Sequence, residues 1–233
     1  MIDLHCHILW DIDDGPADFD GSLAMARVAA ADGTRQLVAT PHVGRNMHPP
    51  ELIADKVAQL NAAIVREGLE LEILTGADNL HNLGAATLAR YSINATRYVL
   101  IEFPHTHLPA DAGDCVFEAL HHGLVPIITH PERNPSIVQN PRLIIDLVER
   151  GALVQLTAES LTGGFGHAAK ACSRYLLKQK MVHLLASDGH SANWRPPTLS
   201  AGLKVAEKIV GKDAARKLVV DNPGKIVLGH DLF

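Results

Sequence analysis

Ile2-Asp3-Leu4-His5-Cys6-His7 is a short apolar run that ends on imidazoles, and six more such runs follow it along the chain. Gln36-Leu37-Val38-Ala39-Thr40-Pro41 ends at His42, and Leu69 to Gly76 is followed by Asp78. Tyr98-Val99-Leu100-Ile101 ends at Glu102, and Val125-Pro126-Ile127-Ile128-Thr129 ends at His130. The sixth run, Leu153 to Leu156, is followed only by a weaker candidate, Glu159. The seventh, Val182 to Ser187, ends at Asp188 and His190. One histidine after a strand means little. Imidazole or carboxylate after six runs of seven is hard to ascribe to core packing, and the fourteen histidines of the chain need the same account.

Helical patterns separate the runs. Phe19 to Asp32 is Ala-rich with Asp18 or Asp20 as N-cap, and Pro49-Pro50-Glu51 opens a second helix through Glu67. Ala112 to His122, Pro141 to Arg150 and His167 to Lys180 read likewise, and Thr198–Gly211, Asp213–Val220 and Pro223–Leu228 finish the chain. Gly33, Gly68, Gly123 and Gly151 stand where helices should stop. Strands alternating with helices imply βαβ units and a parallel sheet. Ligand-type residues at nearly every strand end favour a closed or nearly closed α/β barrel, whose C-terminal rim carries the site. A doubly wound open sheet would offer one switch point only. Residues 76–96 read as an irregular loop with a short helix, and residues 1–233 as one domain.

With 233 residues, 47% hydrophobic and 20% charged, the chain reads as a soluble globular enzyme. A net charge of −5 argues against nucleic acid as partner, because counterion release needs clustered Lys and Arg. Cys6, Cys115 and Cys172 are sparse and odd in number, which suits a reducing cytoplasmic setting. The N-terminus lacks a basic segment followed by an apolar one, and no run is long enough to span a bilayer, so no membrane insertion is expected.

His5 and His7, two residues apart on a strand, face the same way and can reach one ion, while Cys6 faces the core. Asp188 and His190 repeat the spacing. Pro131 fixes an extended exit that holds His130 at the rim, and Glu102, after four apolar residues, needs a partner or a metal if buried. His42 follows the same strand-end logic. Asp11, Asp13 and Asp14 form an acidic loop, one of whose carboxylates can complete a metal site. Imidazole and carboxylate without thiolate favour Mn, Zn, Fe or Co in a multinuclear hydrolytic site. Arg133 and Arg195, just beyond rim ligands, suit a clamp on phosphoryl oxygens. No GxSxG elbow, P-loop or cysteine phosphate loop occurs: Ile12, His121 and Lys178 stand where such a loop needs arginine.

His5-Cys6-His7, Thr40-Pro41-His42, Ile101-Glu102, His130-Pro131-Glu132-Arg133 and Ser187-Asp188-Gly189-His190 together resemble the polymerase and histidinol phosphatase family. Asp13-Asp14-Gly15, Ile101-Glu102-Phe103, Arg195-Pro196-Pro197 and Asp221-Asn222-Pro223 resemble its bacterial branch of metal-dependent protein-tyrosine phosphatases, which accompany tyrosine autokinases in capsule and exopolysaccharide operons. The resemblance implies a distorted, TIM-like (β/α)7 barrel with three divalent ions, manganese first and Fe, Zn or Co as alternatives. It puts His5, His7 and Asp188 on the first ion, Glu102 and His130 on the second, Asp78 between them, and Asp14, His42 and His190 on the third. The branch commonly has glutamate where this chain has the shorter Asp78. Arg133, Arg195 and Asp188 would form the catalytic set, with a metal-shared hydroxide attacking phosphorus and His48 as a proton donor. The implied partner is the phosphotyrosine tail of an autokinase, in a protein compatible with an oligomer. The alternatives are a small-molecule phosphatase of the histidinol phosphate kind and a phosphodiesterase.

Overall fold

The computed structural model describes residues 1–232. Its strands are β1 (Ile2–Cys6), β2 (Gln36–Ala39), β3 (His42–Val43), β4 (Glu72–Thr75), β5 (Asp78–Leu80), β6 (Tyr98–Glu102), β7 (Val125–Thr129), β8 (Leu153–Thr157) and β9 (Leu184–Ala186). All pair in parallel, with helices on every connection except the short ones from β2 to β3 and from β4 to β5. The α/β class with parallel strands is therefore as the sequence predicts.

The single closed sheet is not what forms. The strands make a three-stranded sheet, β1-β2-β4, and a six-stranded sheet, β3-β5-β6-β7-β8-β9. The second and third apolar runs each break at their ends, at Thr40-Pro41 and at Gly76-Ala77, and the chain resumes as a strand in the other sheet. Proline has no N–H to continue the ladder. Gly76 lies so close to the neighbouring strand that a Cβ there would stand 2.6 Å from Val38 Cγ1, and the tight approach turns the ribbon. The pairing keeps the same offset across the break, from Ala39 opposite Thr75 to His42 opposite Asp78. At the far edge, β1 meets the end of β9 through a single bridge between Cys6 and Gly189. Two backbone bonds flank it: Asp188 N–H to His5 O and His7 N–H to Gly189 O, each 2.8 Å.

Both sheets turn apolar side chains into one interior. Leu4, Val38, Leu100, Ile127, Leu153 and Leu184 share a buried cluster with Ile226 and Val227 of the terminal helix Asn222–Val227. Alternate residues such as Leu37, Val99, Ile101, Ile128 and Val154 pack outward against the helices, so the strands are apolar on both faces.

Helix Phe19–Asp32 is capped by Asp18, which accepts from Gly21 N–H at 2.8 Å. The four glycines expected as helix stops all sit at positive φ. The stretch expected as one helix over 213–220 is instead a helix, Lys212–Arg216, running into a π-helical turn, Lys217–Asp221. The unclear segment 76–96 holds β5, a short helix Ala85–Arg90 and a 3-10 turn Ile93–Ala95. No helix among the described residues is long and apolar enough to cross a membrane.

Candidate metal centre

His5, Glu102, His130 and Asp188 lie at or just beyond the C-terminal ends of β1, β6, β7 and β9, while His42 and Asp78 open β3 and β5 where the chain resumes after the second and third runs, and the parallel pairing brings these positions together. His5 Nε2 is 3.2 Å from His7 Nε2, 3.6 Å from Asp78 Oδ2 and 3.5 Å from Asp188 Oδ1. His7 Nε2 is also 3.5 Å from Asp188 Oδ1. His42 lies between two groups: its Nδ1 is 3.6 Å from Asp78 Oδ2 and 3.5 Å from Glu102 Oε2, while its Nε2 is 3.6 Å from Asp14 Oδ1. His190 Nε2 approaches the same Asp14 oxygen at 3.4 Å, and His130 Nε2 lies 3.8 Å from Glu102 Oε1.

Four sets of donor atoms converge within 4.8 Å of one another: His5, His7 and Asp188; His5, Asp78 and His130; His42, Asp78 and Glu102; and His7, Asp14, His42 and His190. Metal–ligand bonds of about 2.1 Å place neighbouring donors about 3.0–3.5 Å apart in an octahedral or tetrahedral shell, which is close to the spacings here. Asp78 Oδ2, Glu102 Oε2 and His42 Nδ1 are buried with no hydrogen-bond partner. An unpaired buried carboxylate is costly, so these orphaned atoms fit a divalent cation. Aspartate at 78, one methylene shorter than glutamate, still reaches both His5 and His42.

Three partners set the imidazoles, in roles the sequence alone did not assign. Gln155 Oε1 meets His5 Nδ1 at 2.8 Å, Asp13 Oδ2 meets His7 Nδ1 at 2.7 Å, and the Asp188 carbonyl meets His190 Nδ1 at 2.9 Å. Each acceptor holds the proton on Nδ1 and leaves Nε2 free to ligate. The sixth apolar run, which forms β8, therefore contributes through Gln155, while Glu159 lies in the helix that follows, Ala158–Thr162. A lone amide inside Leu153-Val154-Gln155-Leu156 was the available signal. Asp13 Oδ2 also accepts from His42 N–H at 3.0 Å, so it ties two ligand strands together. Beneath them, buried Asp3 accepts from Ser187 N–H at 3.0 Å and His5 N–H at 3.3 Å. Asp13→Ala is expected to lower metal affinity about 10- to 100-fold, read by calorimetric titration of Mn²⁺ into stripped protein; an unchanged affinity would remove Asp13 from this role.

His130 and Asp188 hold their ligand atoms from left-handed backbone, φ 35° and 52°. Non-glycine residues pay about 1–3 kcal/mol for such a conformation, which concentrates at functional sites. Among the described residues the His48 ring makes no hydrogen bond or ion pair with the cluster, its Nε2 is buried without a partner, and its carbonyl accepts from Tyr91 Oη at 2.7 Å. His105 is nearer, with Nε2 3.1 Å from Glu102 Oε1 and its ring stacked on His130.

Arg133 and Arg195 meet at Asp188. Each places Nη2 2.6 Å from Asp188 Oδ2, and Arg195 Nη2 also donates to the Asp188 carbonyl at 2.9 Å. Both Nε atoms are buried without a partner. Phe165 lies against both guanidinium groups, 4.6 Å from Arg133 Cζ and 5.3 Å from Arg195 Cζ.

Burial dominates the protonation of the cluster. It pushes His5 down to about 4 and drives His7 and His130 well below the usual imidazole range, aided by neighbouring cationic groups. These rings are neutral and ready to ligate. Burial, then the Glu102 and Asp188 charges, push Asp78 well up. Burial also raises Asp188, but Arg133, His5, His7 and Arg195 outweigh it and hold that carboxyl low. Asp14 is held low chiefly by His190. Burial pushes the Cys6 thiol well up, consistent with a core residue. A cavity of about 630 Å³, lined by residues 11–17 with His42, Arg45 and Asn46, opens beside Asp14.

Known proteins share this architecture. A family profile described as capsular polysaccharide synthesis, CpsB/CapC, matches residues 1–228. The tyrosine-protein phosphatase YwqE of Bacillus subtilis is 38% identical over 219 residues, 91% of this chain and 86% of the relative. The tyrosine-protein phosphatase CpsB of Streptococcus pneumoniae is 30% identical over 239 residues, 98% of each. A crystal structure from work on YwqE and CpsB, described as metal-dependent tyrosine phosphatases, superposes with a TM-score of 0.94 at 36% identity, covering 100% of this chain and 96% of that one. A β-aspartyl dipeptidase from Fervidobacterium islandicum shares the fold alone, with a TM-score of 0.59 at 16% identity over 97% of this chain and 72% of that one. By the span of the profile and the identity to these relatives, the chain belongs to the CpsB/CapC family.

Proposed function

We propose that this protein is a metal-dependent protein-tyrosine phosphatase that removes phosphate from the tail of a tyrosine autokinase in capsule or exopolysaccharide synthesis. The observation that carries the reading is the arginine pair on Asp188, each with an unpartnered Nε–H, beside converging imidazoles and carboxylates. The names of the relatives support it.

Three divalent ions are proposed, with manganese preferred. His5, His7 and Asp188 would hold one, Glu102 and His130 a second with Asp78 shared between the two, and Asp14, His42 and His190 the third. Bound ions supply Lewis-acid charge and a water acidified toward neutrality. The protein's own groups do the rest. Gln155 and Asp13 orient His5 and His7. Arg133 and Arg195 take the charge that spreads over the phosphoryl oxygens as the tyrosyl oxygen departs. Asp188, held ionised, keeps both guanidinium groups aimed at the site. Phenolate is a tolerable leaving group, so no strong general acid is needed. On this reading the two sheets make one distorted (β/α)7 barrel, residues 1–233 are a single domain, and the protein works in the cytoplasm.

A substrate panel tests it. The Mn²⁺-loaded protein should hydrolyse a phosphotyrosyl peptide with a higher kcat/KM than histidinol phosphate, and leave single-stranded DNA intact. A preference for histidinol phosphate, or release of nucleotides from the DNA, would replace the reading with one of its rivals.

A further inference from the structure

Trp194 is 67% exposed, unusual for a large aromatic that borders a polar cluster. It sits in the loop after the ligand-bearing segment Asp188–His190, and its backbone N–H is tied to Ser191 Oγ at 3.1 Å. Its ring lies 6.5 Å from the His190 ring and 5.5 Å from Arg195 Cζ. Arg195 thus stands between two aromatic groups. Phe165 touches both arginines and is half-buried, as a prop should be. Of the two arginines Trp194 lies near Arg195 alone, and it leaves most of its indole in water.

The side chains of Arg133 and Arg195 are only 12% and 16% exposed. A phosphoryl group held on these mostly buried arginines would leave its ester substituent on the more open side, toward the rim. The indole is the apolar surface at that rim beside both Arg195 and His190. A flat aromatic substituent can lie on it, exchanging two wetted faces for an offset or edge contact. A short alkyl substituent offers no such face.

We propose that Trp194 is the aromatic wall of the substrate mouth, packing on the phenyl ring of phosphotyrosine and setting a preference for aryl over non-aromatic phosphates. This rests on the phosphotyrosine reading above and names a residue that determines its specificity. Among the described residues the Trp194 side chain makes no hydrogen bond to the cluster, so its loss should act on substrate binding and not on the chemical step.

The test uses Mn²⁺-loaded protein with Trp194→Leu and Trp194→Phe, assayed on a phosphotyrosyl peptide and on acetyl phosphate, a non-aromatic phosphate with a good leaving group. Trp194→Leu should raise KM for the peptide about fivefold to tenfold, leave kcat in place, and leave acetyl phosphate hydrolysis unchanged. Trp194→Phe should recover most of the loss. An unchanged peptide KM overturns the proposal. An equal loss on both substrates also overturns it, because the indole would then be a prop for Arg195. A second arm reads binding without turnover: phenylphosphonate should quench the indole fluorescence that Trp194→Leu removes, and methylphosphonate should not. Equal quenching by both overturns the proposal. Should the wild-type protein fail on the phosphotyrosyl peptide, the phosphatase reading falls, while the phosphonate arm still decides the role of Trp194.

Discussion

Stripping the protein of divalent metal is expected to lower phosphotyrosine hydrolysis by about a thousandfold or more, and Mn²⁺ should restore it. The size follows from what is lost: several kcal/mol of charge stabilisation and the acidification of water toward neutral pH. The donor set leaves no substitute. The imidazoles of His5, His7 and His130 are held neutral by burial, and no cysteine is poised as a nucleophile, since burial pushes the Cys6, Cys115 and Cys172 thiols up. Metal should also stabilise the fold, because the buried, orphaned oxygens of Asp78 and Glu102 gain a partner in the native state alone. At a metal concentration a hundred times the dissociation constant the gain is about 2.7 kcal/mol, visible as a rise in Tm on titration. Activity that survives in chelator, in material free of transition metal by elemental analysis, would sink the scheme.

The second large effect is expected at Arg133. Arg133→Ala should lower kcat on a phosphotyrosyl peptide about 100- to 1000-fold, the range seen when one preorganised charge stabiliser is removed. Metal content should hold, since Asp188 keeps its contact with Arg195 and its place beside His5 and His7. Arg133→Lys should rescue little, because an ammonium cannot present a fork to two phosphoryl oxygens or lie flat on Phe165. A normal kcat in Arg133→Ala would take that arginine out of the mechanism. Loss of metal in step with activity would make it a support for Asp188 only.

The ligand-type residues were legible because a parallel α/β arrangement repeats a simple rule. Each strand enters the core apolar and leaves it at the same end, so a polar side chain at the exit is drawn to a shared rim. His42, Glu102, His130 and Asp188 could be picked out from their place at the end of apolar runs. The arginines were legible for the same reason, lying a few residues beyond those exits. Gln155 was harder, being a single amide in a strand, and its partner His5 is 150 residues away. Asp13 and Asp14 are adjacent in an acidic loop, and nothing local says which of them faces His190 and which holds His7.

By itself the sequence determined the alternation of strand and helix, the parallel sense of the strands, and the identity of the groups gathered at their ends. These depend on local periodicity and on which side chains tolerate burial. Only the tertiary structure decided that the ribbon divides at Pro41 and Gly76 into two sheets, that His130 and Asp188 take left-handed backbone, and that Asp13 and Gln155 hold the ligand imidazoles. Those features arise where segments far apart in the chain press on one another, and no single segment carries the distance between its neighbours.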